Sequence, residues 1–346
     1  MEKRRKNVIR ILLLLVILFS CISLFTGSSY MSLTDGISAL LGKGTASNIR
    51  ILYHIRIPRI LAALIAGAGL SVAGLMMQTV LHNPMASPST LGVSNEAVFG
   101  ANLSIIAFSG GFLETGNRLS SYLSGTNPYA TGSMAFVFAL GSVLIILGLC
   151  RIRSFSPSVL VLAGVAMGSV WTAATTILQY YATDVGLSAA VIWSFGDLGR
   201  ATYETDLIML IPVLLSMAVF LRKSWTYNAM ISGEQTASGL GVSVSTVRFG
   251  TLLLTSMVTA VCVSCLGIIG FVGIICPHVI KKLIGHNHEY SVVASALLGS
   301  LLLVCADTMA RCLGNGSSLP VGAITSLLGS PFFLALIIGQ RRDDHA

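Results

Sequence analysis

Strongly apolar runs of about twenty residues, broken by short polar or basic stretches, follow one another along almost the whole chain. None alternates with the period of two that a barrel strand needs, and a hydrocarbon layer ~30 Å thick asks this length of a helix. The pattern predicts ten membrane-spanning helices: 8–28, 58–81, 90–109, 130–149, 157–180, 205–222, 247–267, 269–284, 291–312 and 320–339. The eighth is short and reads as interrupted at Pro277. The expected fold is an all-α membrane protein, a polytopic bundle forming one transmembrane domain over 1–346. Two polar stretches exceed what a turn needs. One is an outer segment at about 30–56, with an amphipathic piece near Leu33–Leu41. The other is an inner segment at about 223–246.

Composition supports lipid as the solvent. Hydrophobic residues make up 54% of the chain and charged residues 10%, far below the share of a soluble domain. A net charge of +8 would raise nucleic acid as a partner in a soluble protein. Here the basic residues sit at the ends of apolar runs, so they report orientation and no nucleic acid is expected. With the N-terminus in the cytoplasm, fourteen Lys and Arg fall inside and seven outside, and both termini are cytoplasmic. The first run follows the basic stretch Lys3–Lys6 as in a signal peptide. It lacks a small-residue cleavage site and is read as a retained helix.

Several chemistries are unsupported. Gly42-Lys43-Gly44 lacks the rest of a phosphate-binding loop, so this chain is not expected to hold ATP and magnesium itself. His286-Asn287-His288-Glu289 has the wrong order for a zinc protease. Cys262 and Cys265 form a C-x-x-C without a second pair, inside a predicted helix, and read as small packing residues; no metal site is expected. Asn83-Pro84 and Asn127-Pro128 are not followed by the alanine of a water channel. Ionisable residues inside the spans are nearly confined to Asp307 and Arg311, four apart on one helix and placed to neutralise each other. An ion-gradient-driven transporter or channel, the competing reading, would need more buried acids or polar breaks at mid-depth. Small residues crowd the second span, where Gly67, Ser71 and Gly74 recur at helical spacing and let helix backbones approach closely.

Three ordered segments then narrow the function. The first is Arg56-Ile57-Pro58-Arg59, followed by His82-Asn83-Pro84-Met85-Ala86-Ser87-Pro88 and Leu91-Gly92-Val93-Ser94. The second is Gly233-Glu234-Gln235-Thr236-Ala237-Ser238-Gly239-Leu240-Gly241-Val242. The third runs from Gly270-Phe271-Val272-Gly273 through Pro277-His278 and Ala306-Asp307-Thr308-Met309-Ala310-Arg311 to Leu319-Pro320-Val321-Gly322 and Gly329-Ser330-Pro331. Together they resemble the FecCD-type permeases of ATP-binding-cassette (ABC) importers for iron–siderophore complexes, haem and cobalamin. Met85 stands where that family usually has leucine.

The resemblance implies a permease of the bacterial cytoplasmic membrane, paired with a second permease subunit, most simply its own copy. Two cytoplasmic ATPases would drive it and an extracytoplasmic binding protein would deliver the metal chelate. It implies that Gly233, Glu234, Ala237, Leu240, Gly241 and Val242 form the ATPase-coupling segment, read here as two short helices joined at Gly241. Gln235 replaces a common acid, and Ser238-Gly239 favours helix less than the family pattern does. Arg56, Arg59 and Arg311 match positions that grip acidic residues of the binding protein, a task suited to the bidentate guanidinium. Ser188–Arg200 corresponds to a short helix narrowing the outer path, with Trp193 and Gly196 in place. Asp197 departs by putting an acid where serine is common, as a rim charge or as part of the gate.

Overall fold

The structure is a computed structural model and describes residues 2–27, 32–108, 127–152, 156–314 and 319–343. Among these, every named element is helical. The helices are α1 (Glu2–Phe25), α2 (Leu33–Leu40), α3 (Ala46–Ile51), α4 (Ile57–Val80), α5 (Val93–Asn102), α6 (Pro128–Ile152), α7 (Pro157–Tyr180) and α8 (Asp184–Ser194). They continue as α9 (Tyr203–Arg222), α10 (Ser224–Ile231), α11 (Glu234–Gly239), α12 (Val244–Leu266), α13 (Val272–Ile284), α14 (His288–Leu313) and α15 (Val321–Asp343). Among the described residues seven stretches are long and apolar enough to cross a membrane, and Val93–Phe108, Asp184–Ser194 and Val321–Phe332 are shorter apolar helices. Arg118 and Arg153, used in the orientation count, lie outside the described residues.

Some expected limits move, the first helix beginning at Glu2 rather than at residue 8. The second span does not begin at residue 58: helix runs from Ala46 to Val80, through a π-helical turn at Leu52–Arg56. That wide turn sits just before Pro58, whose missing N–H and ring disturb the α-helical ladder at this point. Much of the expected outer segment 30–56 is therefore helix. The eighth span is not interrupted at Pro277, since α13 passes through it unbroken. Pro277 cannot bond the Gly273 carbonyl four residues back. That carbonyl instead lies against Gly74 of α4, where any Cβ would collide with it.

The described chain divides into two compact units. The first comprises Met1–Leu75, Asp197–Asn228 and Ile269–Ala346. Its small residues do what lipid-embedded helices require, in the absence of a hydrophobic drive between them. Gly67 of α4 abuts the Gly299 carbonyl of α14 so closely that neither position admits a side chain. Ser300 Oγ then donates to the Leu64 carbonyl at 2.7 Å. Leu12 of α1 packs with Ile280 and Ile284 of α13 and Ala294 of α14.

The second unit comprises Met76–Gly196 and Ala229–Ile268. The Asn83–Leu91 stretch turns the chain from α4 into α5. Asn83 Oδ1 accepts from Met85 N at 2.9 Å, and Ser87 with Thr90 forms a capping box on the 3-10 turn Pro88–Leu91. That turn lies against Gly164 of α7, again with no room for a Cβ. Phe99, Phe138 and Trp171 meet edge-to-face or tilted, with centroids 4.8 to 5.5 Å apart.

Candidate functional site

In the second unit, α10 ends at Ile231 and α11 begins at Glu234, with Gly233 between them at φ 104° and ψ 153°. That region is open essentially to glycine alone. At its other end α11 closes in a Schellman motif. Val242 N donates to the Ala237 carbonyl at 3.0 Å, Gly241 N to the Ser238 carbonyl at 3.0 Å, and Gly241 sits at φ 85°. A Cβ on Gly233 or Gly241 would meet nothing within 4 Å, so both glycines serve backbone conformation and not packing. The expected pair of helices joined at Gly241 is thereby corrected. One helix occupies 234–239, its partner α10 precedes Gly233, and Gly241 ends the pair.

The six residues expected to couple divide by their surroundings. Ala237 and Val242 are buried and hold α11 to its unit, Gly233 and Gly241 shape its ends, and Leu240 is 55% exposed. Gln235, Thr236, Ser238 and Gly239 are exposed beside it. Glu234 forms an ion pair with Arg248 of α12, whose Nε also donates to the Val80 carbonyl at 2.9 Å. Val80 is the last residue of α4, and a cation suits the carbonyl end of a helix. Arg248 is 3% exposed, whereas the Glu234 side chain is 47% exposed. Sequence reading missed Arg248. The signal was a lone arginine just inside an apolar run, fourteen residues after the acid.

In the first unit the three expected docking arginines are all buried. Asp307 of α14 takes one guanidinium on each oxygen: Arg59 Nε on Oδ1 at 2.6 Å and Arg311 Nε on Oδ2 at 2.9 Å. Arg311 Nη1 also donates to the Thr26 carbonyl at 2.9 Å, and Arg56 Nη1 to the Leu24 carbonyl at 2.7 Å. Both arginines thus serve the carbonyl end of α1. The Asp307–Arg311 pair was legible from spacing; Arg59 was not, because 248 residues separate it from Asp307. In this arrangement Arg59 and Arg311 point inward, toward partners of the same unit.

Asp197 joins this network. Its Oδ1 lies 3.4 Å from Arg59 Nη2 and accepts from Gly199 N at 2.8 Å, capping the 3-10 turn Leu198–Arg200. Burial holds Arg200 below the ordinary guanidinium range, and Asp197 pulls it the other way. The expected short helix is α8, which ends at Ser194, so Trp193 lies on it while Gly196 and Asp197 follow it. Trp193 packs partly buried against Ile105, Ile106, Ala182 and Ala190. Ile268 N donates to the Ser194 carbonyl at 3.4 Å, and Gly267, at φ 80°, lets the chain pass the Trp193 and Phe195 carbonyls.

The near absence of buried ionisable groups outside Asp307 and Arg311 is also corrected. Arg248, Glu96 and Asp206 are buried as well. Glu96 Oε1 accepts from Ser142 Oγ at 2.8 Å, and Ser142 Oγ accepts from Trp171 Nε1 at 2.9 Å. Among the described residues no group of three His, Cys, Asp or Glu is placed to hold a metal ion. None of the seven cysteines is in a disulfide, and Cys262 is buried.

The profile of the FecCD transport family matches residues 13–339. An ABC transporter permease protein of Methanocaldococcus jannaschii is 43% identical, the match covering 97% of this chain and 95% of the relative. The hemin transport system permease protein of Yersinia pestis is 36% identical over 84% of each chain. The molybdate import system permease protein of Haemophilus influenzae is 30% identical over 96% and 95%. A solved inward-facing metal-chelate type ABC transporter superposes with a TM-score of 0.82, at 26% identity, over 96% of this chain and 99% of that one. A match over nearly the entire length, in sequence and in helical architecture, settles the family. The chain belongs to the FecCD transport family and is an integral membrane permease of the ABC type, a transport subunit and not an enzyme.

Proposed function

We propose that the chain is the permease of a binding-protein-dependent importer that carries a metal chelate into the cytoplasm by alternating access. It works as one of two permease subunits, most simply two copies of itself, each contributing ten spans with both termini cytoplasmic. Two cytoplasmic ATPases supply the work, and an extracytoplasmic protein hands over the cargo. Relatives named for hemin, Fe(3+)-citrate and hydroxamate transport support an iron chelate as cargo. The molybdate relative keeps an oxyanion as the runner-up.

One observation carries the coupling role: α11 is a short helix fixed by its inner face and bare on its outer one. Ala237 and Val242 hold it from beneath, while Leu240 and its small polar neighbours face outward. A small-residue knob of this kind suits insertion into a groove on a rigid ATPase. Arg248 links the start of this knob to α12 and to the end of α4, so motion at α11 reaches two long helices directly.

Co-purification from membranes expressing the chain with its ATPase tests this. Wild-type chain should retain the ATPase. Leu240→Asp should lose at least tenfold of it while the permease itself stays folded. Undiminished retention by Leu240→Asp would remove α11 from the contact.

A further inference from the structure

We infer that the basic end of α1 is a binding surface for an anionic phospholipid. Helix α1 has one packed face and one bare one. Arg5 belongs to the packed side: its Nε donates to the Ile284 carbonyl at 2.9 Å, and its guanidinium lies 5.6 Å from the centre of the Tyr290 ring. Leu12 and Val16 continue that buried side.

The remaining basic residues point away. Lys3, Arg4, Lys6 and Arg10 are exposed, and so is Lys282 on the neighbouring α13. On the described parts of α1, α13 and α14 at this end, the exposed acids are Glu2, which pairs with Lys6 at 2.7 Å, and Glu289. A surplus of positive charge is left at this end.

The same face then changes character along the helix. Lys3, Arg10, Leu14 and Ile17 follow one another at spacings of seven, four and three, which place them in one stripe. Leu14 is 66% exposed and Ile17 53%. The stripe is cationic for its first turns and apolar thereafter, the order of a phospholipid read from headgroup to acyl chain. A free phosphate would match only the cationic half. A zwitterionic lipid, with no net charge, would match the apolar half with less electrostatic gain.

The test uses the delipidated full chain in detergent, titrated with dioleoyl phosphatidylglycerol or dioleoyl phosphatidylcholine. Bound lipid is counted by native mass spectrometry. Wild-type chain should prefer the glycerol lipid by about tenfold or more, given roughly fivefold for each engaged basic residue. The combined variant Lys3→Gln, Arg4→Gln, Arg10→Gln should bring the two lipids near parity. Raising salt on the wild-type chain should have the same effect, independently of any substitution. Inorganic phosphate substituted for chloride at constant ionic strength should leave the lipid bound. Equal binding of the two lipids by wild-type chain would overturn the inference. So would an unchanged preference in the triple variant, or displacement by phosphate alone.

Discussion

Two arginine clusters, one in each unit, are built to opposite plans. In the first unit Asp307 is enclosed between Arg59 and Arg311, all three buried, with Asp197 as the more accessible outer member. In the second unit Arg248 is equally buried, but its acid partner Glu234 stays half-exposed. A closed network of this kind holds α4 and α14 together, and removing its centre takes the buried counter-charge from two desolvated cations, leaving Arg59 with the more accessible Asp197. A half-open one costs less to break and leaves an acid within reach of something outside. The contrast fits fixation by the first cluster and, on the proposed function, transmission by the second.

The difference can be broken at its strongest point first. Asp307→Ala should destabilise the chain by about 3–5 kcal/mol, since two buried guanidiniums lose their counter-charge. A large drop in thermal unfolding midpoint in detergent, or loss of folded protein from membranes, is the expected readout. Arg59→Ala should cost clearly less, because Arg311 still neutralises Asp307. Equal losses in the two variants would mean that the network is not centred on Asp307.

Arg248→Gln should cost about 1.5–3 kcal/mol, as expected for hydrogen bonds to a charged group. Its larger effect should fall on ATP-driven uptake, reduced at least tenfold at equal ATPase retention. Arg248→Lys keeps the charge and loses the planar fork, so it should restore stability more than coupling. Gly241→Ala should cost about 1–2 kcal/mol, the penalty for a side chain in the left-handed region, because nothing crowds the site. Glu96→Gln should change least. The amide oxygen can still accept from Ser142, so ATP-driven uptake should persist within about twofold. Abolished uptake in Glu96→Gln would instead favour a proton- or ion-linked transporter.

Much of this architecture was readable from one chain. The apolar runs marked the long spans, α7 at its predicted limits, and the i, i+4 spacing marked Asp307–Arg311. The amphipathic piece after the first span became α2. What escaped notice depends on distance along the chain. Arg59 and Asp307 meet only because α4 and α14 approach at Gly67 and Gly299, a contact that hydropathy does not encode. Pro277 looked like a break because its i−4 carbonyl loses a partner, and only packing shows Gly74 receiving that carbonyl. Glu96 was overlooked because a single acid barely lowers the mean hydropathy of an apolar run. At the coupling segment the glycines announced turns, but which residues faced inward depended on how α11 sits on its unit.

The central claim is that this chain is a conduit whose work comes from a separate ATPase. Proteoliposomes provide the direct test, made with the chain alone and with its ATPase and binding protein. Ferric hydroxamate, hemin and molybdate are offered in turn. Accumulation of one of them should require the ATPase, ATP and the binding protein together. Accumulation by the chain alone, driven by a sodium or proton gradient, would contradict the account.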